Sequence, residues 1–338
     1  MKALVLKDFH EMVVAERPDP APGPGEVLIR TLATGICGSD LHGFTGANGR
    51  RVPGQVMGHE TVGRIAALGD GVTDLTVGGL ATVNPVVSCG ACPACAAGNP
   101  QHCPEGYVIG VAPARSAAFA DLLVVPATNV VELPDTMPAA YGALVEPVAV
   151  GWHAVRRGDV GAGDTVLVSG GGPIGQAVVL AARRSGATRV VVSEPDRGRR
   201  ALCATLGADV LDPTGGDVPE RVRAVLGGPA SVAVDAVGLS ATLADALAAT
   251  ALGGRVVLVG MGAPRVELGA FAISTEERSV VGSFSYSADD FRAAAAWVAT
   301  CPPELAGLIE KQVPLADAPA AFTALAATPT PGKVLVTF

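Results

Sequence analysis

Two different patterns of hydrophobic and polar positions divide the chain. Residues 1 to about 146 carry short alternating runs, such as Glu26-Val27-Leu28-Ile29-Arg30, between Gly and Pro turn residues. Alternation with a period of two is typical of half-buried β-strands. From about Thr165 to Ser283, apolar β-branched runs alternate with Ala-rich segments of helical length. This succession of strand and helix predicts a parallel sheet covered by helices on both faces.

The pattern also places individual elements. Strands are predicted at Thr165–Ser169, Arg189–Ser193, Ser231–Asp235 and Arg255–Val259. Helices are predicted at Ile174–Ser185, Arg197–Leu206, Ala241–Thr250 and Asp289–Thr300, and a closing strand starts at Lys333. We therefore expect an α/β chain with a mainly β domain over residues 1–147 and a doubly wound parallel-sheet domain over 148–286. The tail, 287–338, is expected to return to the first domain.

Composition supports this picture and limits the partners. A chain of 338 residues exceeds the size at which a single core usually splits into two domains. Hydrophobic residues make up 49% and charged residues 17%, which predicts a large core and excludes extensive disorder. The net charge of −8 argues against nucleic acid, because phosphate binding needs a concentrated basic surface. No apolar run reaches the roughly 18 residues of a membrane helix, so no membrane partner is expected.

The N-terminal segment and the cysteines indicate the compartment. Met1-Lys2-Ala3-Leu4-Val5-Leu6-Lys7-Asp8 becomes charged too early for a secretory signal and is predicted to form a strand. We therefore expect a cytoplasmic protein whose seven cysteines stay reduced. Four of them lie close together, and in a reducing compartment such a cluster indicates metal rather than disulfides.

A glycine-rich turn links the first strand and the first helix of the second region. Its sequence, Gly170-Gly171-Gly172-Pro173-Ile174-Gly175, fits the pattern G-x-G-x-x-G. The first glycine of this pattern allows the tight turn, the second lets the backbone approach a pyrophosphate, and the third packs helix on strand. The helix N-terminus then offers free N–H groups to phosphate oxygens. The turn therefore predicts a Rossmann-type dinucleotide site.

An acidic residue ends the next predicted strand. Glu194 follows Val190-Val191-Val192-Ser193 and stands about 20 residues after the last glycine, the separation typical of the acid that binds ribose. A carboxylate there accepts hydrogen bonds from the ribose hydroxyls and repels a 2′-phosphate, which predicts NAD rather than NADP. The neighbouring Arg197, Arg199 and Arg200 leave an alternative open, because they form either a solvated helix start or a site for the 2′-phosphate.

Four cysteines form a dense cluster in the first region: Cys89, Cys92, Cys95 and Cys103. Four thiolates at this spacing can close a tetrahedral structural zinc site. A group of unpaired thiols is the first alternative, but crowded exposed thiols oxidise readily. An iron–sulfur cluster is the second, although the ferredoxin pattern places its fourth cysteine after three residues rather than seven. Structural zinc is the expectation.

A second group of metal-binding residue types is dispersed along the chain. It comprises Cys37-Gly38-Ser39-Asp40-Leu41-His42, Gly58-His59-Glu60 and Glu146-Pro147. A lone Cys is usually a small buried hydrophobe, and a lone His is usually a hydrogen-bonded structural residue. Glu146 stands in an apolar stretch, where a buried charge needs a partner. A catalytic zinc would provide one, because it takes three protein ligands and leaves one position open for substrate.

Together these segments resemble the zinc-containing medium-chain dehydrogenase/reductase family over essentially the whole chain. Residues 37–42 resemble its first catalytic segment, Gly58-His59-Glu60-x-x-Gly63 its zinc signature, and residues 89–103 its structural zinc loop. The resemblance implies a GroES-like catalytic domain, a Rossmann domain, two Zn²⁺ per subunit and NAD. It also implies a homodimer or homotetramer, with the Arg255–Val259 strand and the region after it as the expected interface.

The chain departs from the classical alcohol dehydrogenases at one zinc ligand. Glu146 stands where those enzymes carry a second cysteine, and residues 144–150 are similar to the sorbitol and butanediol dehydrogenase branch. In that branch Cys, His and a glutamate hold the zinc. The resemblance therefore makes Cys37 and His59 ligands of the catalytic zinc, with Glu60 and Glu146 sharing the remaining place.

Two further positions bear on the substrate. Sorbitol dehydrogenases carry an arginine where this chain has Ser285 and an aromatic residue where it has Gly43, so the chain is closer to the butanediol type. The expected substrate is the secondary alcohol of a small vicinal diol or polyol, such as 2,3-butanediol or sorbitol. Phe44 and Phe119 are either walls of the substrate pocket or ordinary core residues.

The resemblance also implies a mechanism. Ser39 accepts the proton of the alcohol and passes it through a ribose hydroxyl to His42 and then to solvent. Asp40 hydrogen-bonds His59 and selects its tautomer. A dehydrogenase for an amino alcohol, such as threonine or an aminocyclitol, is the alternative within enzymes. A non-catalytic nucleotide-binding protein is the alternative outside them, although Glu60 and the other expected active-site residues are all present.

Overall fold

The structure, a computed structural model, describes residues 1–338 except Asn48, Ala114 and Ser116. The chain divides into two compact units. One consists of Met1–Glu146 and Ser287–Phe338, and the other of Pro147–Tyr286. Within the described part of the chain, every helix is too short or too polar to cross a lipid bilayer.

Strands dominate the first part of the chain, as its alternating pattern predicts. The elements are β1 Lys2–Asp8, β2 Glu11–Glu16, β3 Glu26–Gly35, α1 Gly38–Phe44, β4 Glu60–Leu68, β5 Leu80–Val83, β6 Val86–Val87, α2 Pro93–Ala96, β7 Tyr107–Val108, β8 Leu122–Pro126 and β9 Val130–Glu132. The long strand β3 buries every second residue from Val27 to Ala33, which is the burial pattern of a pleated strand with one face on the core. It pairs antiparallel with both β4 and β8 and so forms the centre of the sheet.

The second unit alternates strands and helices. Helix α3, Val145–Arg157, contains the point at which the two units divide. The elements that follow are β10 Thr165–Ser169, α4 Pro173–Arg184, β11 Arg189–Ser193, α5 Arg197–Thr205, β12 Asp209–Leu211, α6 Val218–Leu226, β13 Ala230–Asp235, α7 Ser240–Ala249, β14 Thr250–Leu258, α8 Ala270–Ser274 and β15 Ser279–Gly282. All neighbouring strands pair in parallel, in the order β12-β11-β10-β13-β14-β15.

That strand order defines where a ligand can bind to the second unit. The chain proceeds from β10 outward to β12, then returns to the other side of β10 and proceeds outward to β15. The connections therefore reverse direction beside β10. In doubly wound sheets the carboxyl ends of the strands at this switch point form the crevice for the ligand. The glycine-rich turn follows β10 directly, so it lies at this position.

The last part of the chain completes the first unit. It contains α9 Ala288–Val298, α10 Glu304–Leu308, β16 Ile309–Pro314, α11 Ala318–Ala327 and β17 Lys333–Thr337. Strand β17 pairs antiparallel with β3, opposite Gly35, and parallel with β16. The resulting sheet has the order β16-β17-β3-β4-β5-β9, and β8 also pairs with β3. The tail therefore places β17 next to the strand that precedes Cys37.

A cluster of aromatic side chains forms part of the core of the first unit. The ring of Phe322 lies 5.8 Å from that of Phe44 and 5.6 Å from that of Phe119, measured between centroids. Both partners are fully buried and belong to the same hydrophobic cluster. Of the two interpretations of Phe44 and Phe119, the structure supports core residues.

Large apolar side chains remain exposed on the second unit. Leu252, Met261 and Phe271 are 74%, 55% and 77% exposed. They lie in β14 and in the segment that follows it, the region where the family resemblance places a subunit interface.

We predict that Gly58→Ala destabilises the chain more than an ordinary replacement of a turn glycine. Gly58 has φ +96°, and a Cβ on it would lie 2.8 Å from Phe119 Cδ2 and 2.9 Å from the Phe119 backbone nitrogen. The left-handed backbone costs about 1–2 kcal/mol for a residue with a Cβ, and overpacking adds about 1–3 kcal/mol. Urea denaturation measures the difference in the free energy of unfolding.

Gly71→Ala is the matched control. Gly71 has φ +81°, but a Cβ on it would have nothing within 4 Å, so only the backbone cost applies. If the two variants were equally stable, the close contact between Gly58 and Phe119 would not constrain this turn.

Candidate active site

The ends of three adjacent strands bring the expected metal ligands together. Cys37 follows β3, and Glu60 is the first residue of β4, where it pairs with Gly35. Lys333 is the first residue of β17, on the other side of β3. Residues far apart in sequence therefore meet at one edge of the sheet.

Cys37, His59 and Glu60 form a group that can hold a metal ion. Their ligand atoms all lie within 4.8 Å of one another. A tetrahedral zinc site with bonds of about 2.0–2.3 Å separates its ligand atoms by about 3.3–3.8 Å, so small side-chain movements would close the site. Glu60 Oε2 is buried and has no hydrogen-bond partner in the described part of the chain. A divalent cation would satisfy this oxygen, which is otherwise costly to bury.

A buried lysine holds the other oxygen of Glu60. Lys333 Nζ donates to Glu60 Oε1 and, over 3.3 Å, to the carbonyl oxygen of Ile36. Burial lowers the pKa of Lys333, but the charges of Glu60, Cys37 and Glu146, with the hydrogen bond to Glu60, together raise it above its usual value. The ammonium group of Lys333 therefore stays charged and neutralises the carboxylate of Glu60. The sequence did not reveal this residue, because Lys333 lies 273 positions from Glu60 and only opens a predicted strand.

Asp40 lies beside two of the expected metal ligands. Its Oδ2 accepts a hydrogen bond of 3.1 Å from the backbone N–H of Cys37, and its Oδ1 lies 3.6 Å from His59 Nδ1. Burial lowers the pKa of His59, but the charges of Asp40, Cys37 and Glu146 together raise it to about 10. The surroundings of His59 are therefore strongly negative, as a site for a cation requires.

The remaining residues of the expected catalytic set occupy different positions around this group. Ser39 and His42 are three residues apart on α1, so they share one face of the helix. Ser39 is half-buried and His42 is exposed. Glu146 is buried and lies outside the group of three close ligands found among the described residues. Its charge nevertheless contributes to the raised pKa of Lys333.

The four clustered cysteines also converge in space. All seven cysteines of the chain are free thiols, and the sulfur atoms of Cys89, Cys92, Cys95 and Cys103 lie within 4.8 Å of one another. The Cys92–Cys95 and Cys89–Cys95 sulfur separations are 3.5 and 4.0 Å. A tetrahedral zinc–thiolate site requires about 3.8 Å, so the arrangement suits zinc. Hydrogen bonds from the backbone N–H groups of Ala91 and Cys92 lower the pKa of Cys89, which favours the thiolate that a metal needs.

In the second unit, the glycine-rich turn is tightly packed. Gly170 has φ +92°, a conformation that favours glycine, and a Cβ on Gly175 would overlap the Gly170 carbonyl oxygen. Gly172 is the N-cap of α4, whose first residue is Pro173. Proline suits the first helical position, because the N–H it lacks has no partner within the helix there. The turn thus presents the start of α4, with Ile174, at the end of β10.

Glu194 is held by the same turn. Its Oε2 accepts the N–H of Gly171 over 2.7 Å, and its Oε1 accepts the N–H of Asp196 over 2.8 Å. The residue is 4% exposed. Two N–H donors to an anionic group stabilise its charge, so a negative charge is fixed at the end of β11.

The three nearby arginines differ in their surroundings. Arg200 Nη1 donates to the carbonyl oxygens of Glu194 and Pro195 and pairs with Asp212 over 3.1 Å. Arg200 is thus engaged within the fold. The guanidinium of Arg199 borders the turn, since a Cβ on Gly172 would lie 3.7 Å from its Nη1. Arg197 is exposed.

Comparisons with known families cover most of the chain. Residues 23–135 match the family described as alcohol dehydrogenase GroES-like domain. Residues 173–300 match the family described as zinc-binding dehydrogenase. These matches confirm the fold class that the sequence predicts, a GroES-like region and a Rossmann-like region.

Curated relatives match the chain over most of its length and over most of their own. L-galactonate-5-dehydrogenase of Escherichia coli (strain K12) is 35% identical over 86% of this chain and 85% of the relative. Sorbitol dehydrogenase of Arabidopsis thaliana is 37% identical over 79% of this chain and 76% of the relative. L-threonine 3-dehydrogenase of Pyrococcus horikoshii is 38% identical over 72% of this chain and 70% of the relative.

Solved structures agree with this assignment. A zinc-binding dehydrogenase of Sinorhizobium meliloti 1021, bound to NADP, superposes with a TM-score of 0.91 at 34% identity and covers 100% of this chain and 99% of that one. An alcohol dehydrogenase of Escherichia coli CFT073, complexed with NADH, has the same TM-score at 29% identity and the same coverage. The chain belongs to the zinc-containing medium-chain dehydrogenase/reductase family and is an enzyme of the alcohol and polyol dehydrogenase type.

Proposed function

We propose that the chain oxidises the secondary alcohol of a small vicinal diol or polyol, of the 2,3-butanediol or sorbitol kind, with NAD as acceptor. The observation that carries this proposal is the group formed by Cys37, His59 and Glu60, in which one buried carboxylate oxygen lacks a partner. Three protein ligands with a fourth position left for substrate are the hallmark of catalytic rather than structural zinc.

Each residue near the group has a role in this proposal. Cys37, His59 and Glu60 would hold the catalytic zinc, and Glu60 is the direct carboxylate ligand because a carboxylate oxygen of Glu60 belongs to the close group and its Oε2 has no hydrogen-bond partner among the described residues. Glu146 acts on the site through its charge. The four cysteines of residues 89–103 hold a second, structural zinc. Zinc in the catalytic position supplies a Lewis acid for the alcohol oxygen, and a nicotinamide supplies the hydride acceptor.

Proton transfer is assigned to α1. Ser39 accepts the proton of the alcohol, and His42, three residues further along the same face, delivers it to solvent. The exposure of His42 suits this last step, since its imidazole can exchange protons with water. Asp40 Oδ1 lies 3.6 Å from His59 Nδ1 and is positioned to orient the imidazole, so that the other ring nitrogen is free for the metal.

The substrate assignment draws on the relatives and on two small residues. The relatives act on a sugar acid, a polyol and an amino acid, and the positions in the names L-galactonate-5-dehydrogenase and L-threonine 3-dehydrogenase are secondary carbons. Ser285 and Gly43 stand where a sorbitol dehydrogenase carries an arginine and an aromatic residue, which weakens sorbitol as the specific substrate and favours the butanediol type. The similarity to L-threonine 3-dehydrogenase favours an amino alcohol as the second candidate.

The preference for NAD is assigned to Glu194. Its fixed negative charge would repel the 2′-phosphate of NADP. Arg200 already binds two backbone carbonyl oxygens and Asp212, so it is poorly placed to bind the 2′-phosphate and offset the repulsion by Glu194. The two structural relatives carry NADP and NADH respectively, so the choice depends on the residues of this chain.

The first prediction from this proposal concerns which alcohols the enzyme oxidises and whether the oxidation needs zinc. We expect NAD reduction with 2,3-butanediol and sorbitol to exceed that with a primary alcohol such as ethanol, and to disappear when catalytic zinc is removed by a chelator. Absorbance of the reduced nicotinamide measures the rate, and metal analysis measures the zinc retained. Cys37→Ser is the matched variant, because it should lose one zinc and the activity while the Cys89–Cys103 site keeps its own.

Different outcomes separate the parts of this proposal. Preference for threonine or galactonate would replace the substrate assignment and leave the zinc centre in place. Full turnover in protein from which both zinc ions had been removed would contradict the catalytic metal itself.

The second prediction concerns His42→Ala. Removing the imidazole should lower turnover by about 10²-fold at the acidic end of the pH range and less at the alkaline end, where hydroxide can accept the proton instead. The pH dependence of kcat is the measurement. His10→Asn is the control, because His10 is an exposed histidine with φ 65° that packs on Phe44, and asparagine tolerates that backbone. An unchanged pH profile in His42→Ala would remove His42 from the mechanism.

The third prediction concerns Glu194→Gln. Loss of the negative charge should reduce the ratio of kcat/KM for NAD over NADP by about tenfold or more, since a like-charge contact costs several kcal/mol. Steady-state kinetics with both cofactors measure the ratio. Glu220→Gln makes the same charge change at an exposed position of α6 and should leave the ratio unaltered. A lower KM for NADP than for NAD in the unmodified enzyme would show that Glu194 does not select the cofactor.

A further inference from the structure

An arginine is buried beside the proposed catalytic metal ligands. The side chains of Arg51 and Asp40 are 1% and 0% exposed, and Arg51 Nη2 lies 3.6 Å from Asp40 Oδ1. Taking a charged group out of water costs several kcal/mol unless an opposite charge compensates it. Asp40 is the carboxylate that compensates Arg51, and the same carboxylate faces His59.

The polar atoms between these residues lack partners. Asp40 Oδ1, His59 Nδ1 and Arg51 Nη2 are all buried, and none makes a hydrogen bond within the described part of the chain. Oδ1 is 3.6 Å from each of the other two atoms, only a few tenths of an ångström beyond a hydrogen bond. Hydrogen bonds in catalytic sites often tighten only when the ligand is present. One carboxylate oxygen is thus positioned to accept from both donors at once.

Helix α1 provides space for this arginine. A Cβ on the buried Gly43 would overlap Arg51 Cγ and lie 3.1 Å from Met57 Sδ. Gly43 is three residues after Asp40, so the two positions are neighbours on the helix surface. The space that an aromatic residue would take at Gly43 is therefore occupied by the stem of Arg51, which leads its guanidinium to Asp40.

We propose that Arg51 is a positioning residue for the metal ligand His59 and acts through Asp40. The Cys37 N–H holds one carboxylate oxygen of Asp40, and Arg51 holds the other, so the carboxylate is restrained at both ends. Oδ1 is thereby presented to His59 Nδ1, which leaves the second ring nitrogen for the metal. This inference rests on the proposed function, because it assigns a support to the same metal centre.

Zinc affinity is the direct test. Arg51→Met keeps a stem of similar length but removes the charge and all donors, and it should weaken catalytic zinc by about 10- to 100-fold. Competition with a chromophoric chelator measures the affinity of each of the two sites, and the cysteine site should be unchanged. Arg51→Lys keeps the charge and should show a smaller loss. Arg64→Met is the control, because Arg64 pairs with Asp135 at the surface of the same unit.

A double-mutant comparison separates positioning from packing. If Arg51 acts through Asp40, then Arg51→Met should cause no further loss of zinc affinity in an Asp40→Asn background. A role in packing alone would add the same loss in both backgrounds and would overturn the inference. The visible spectrum of the cobalt-substituted protein gives a second readout, since a displaced His59 alters the bands of the catalytic ion in Arg51→Met.

Other outcomes are also decisive. If Arg51→Met does not fold, Gly43→Ala displaces the stem of Arg51 without removing its charge, and it should weaken catalytic zinc in the same assay. Unchanged zinc affinity in the folded variants, with two zinc ions bound to the parent enzyme, would overturn this inference alone. A parent enzyme that holds only the zinc of its four cysteines would overturn the proposed function and the role of Arg51 with it.

Discussion

The first unit depends on the neutralisation of buried negative charges at one place in its sheet. Where β3 ends beside the starts of β17 and β4, the buried carboxylate of Glu60 lies close to the thiol of Cys37, and the buried carboxylate of Asp40 accepts from the Cys37 backbone N–H. Negative groups at this density are unfavourable without cations. The chain supplies two of its own, Arg51 beside Asp40 and Lys333 beside Glu60. One oxygen of Glu60 has no hydrogen-bond partner among the described residues, and this oxygen marks the proposed position of the metal.

The second unit is built to bind a large anionic ligand. Its parallel sheet reverses direction beside β10, and the glycine turn after β10 brings the start of α4 to that edge. The turn and Glu194 are joined by the hydrogen bond from the Gly171 N–H. The backbone proposed to approach the phosphates and the carboxylate proposed to approach the ribose are thus joined directly.

Much of this architecture could be predicted from the sequence, because it depends on local patterns. The predicted strands Thr165–Ser169 and Arg189–Ser193 have the bounds found for β10 and β11. Their continuous apolar runs are typical of strands that are buried on both faces of a parallel sheet. Helix α3 was not predicted, because Pro147 and Glu146 interrupt its apolar stretch. Both lie in its first turn, where proline breaks no helical hydrogen bond.

At the proposed metal centre, local sequence patterns predict only some of the residues. Cys37, His59 and Glu60 belong to recognisable motifs, but the cations that accompany them do not. Arg51 stands in a polar segment, and Lys333 is the first residue of β17. Their importance comes from burial and from pairing across the fold, which spacing along the chain does not encode. Gly43 was recognised as unusual, yet its reason became apparent only from the stem of Arg51 that lies against it.

The position of β17 has a consequence for biosynthesis. Strand β3 emerges early from the ribosome, but its neighbour β17 and the counter-ion Lys333 emerge only after the whole of the second unit has been translated. During that interval Glu60 has no ammonium to neutralise it, and the edge of β3 that β17 will cover is open. The nascent chain must therefore keep this edge from pairing with other strands until the tail arrives. The sheet beside Glu60, with its counter-ion, can thus be completed only after the second unit has been synthesised.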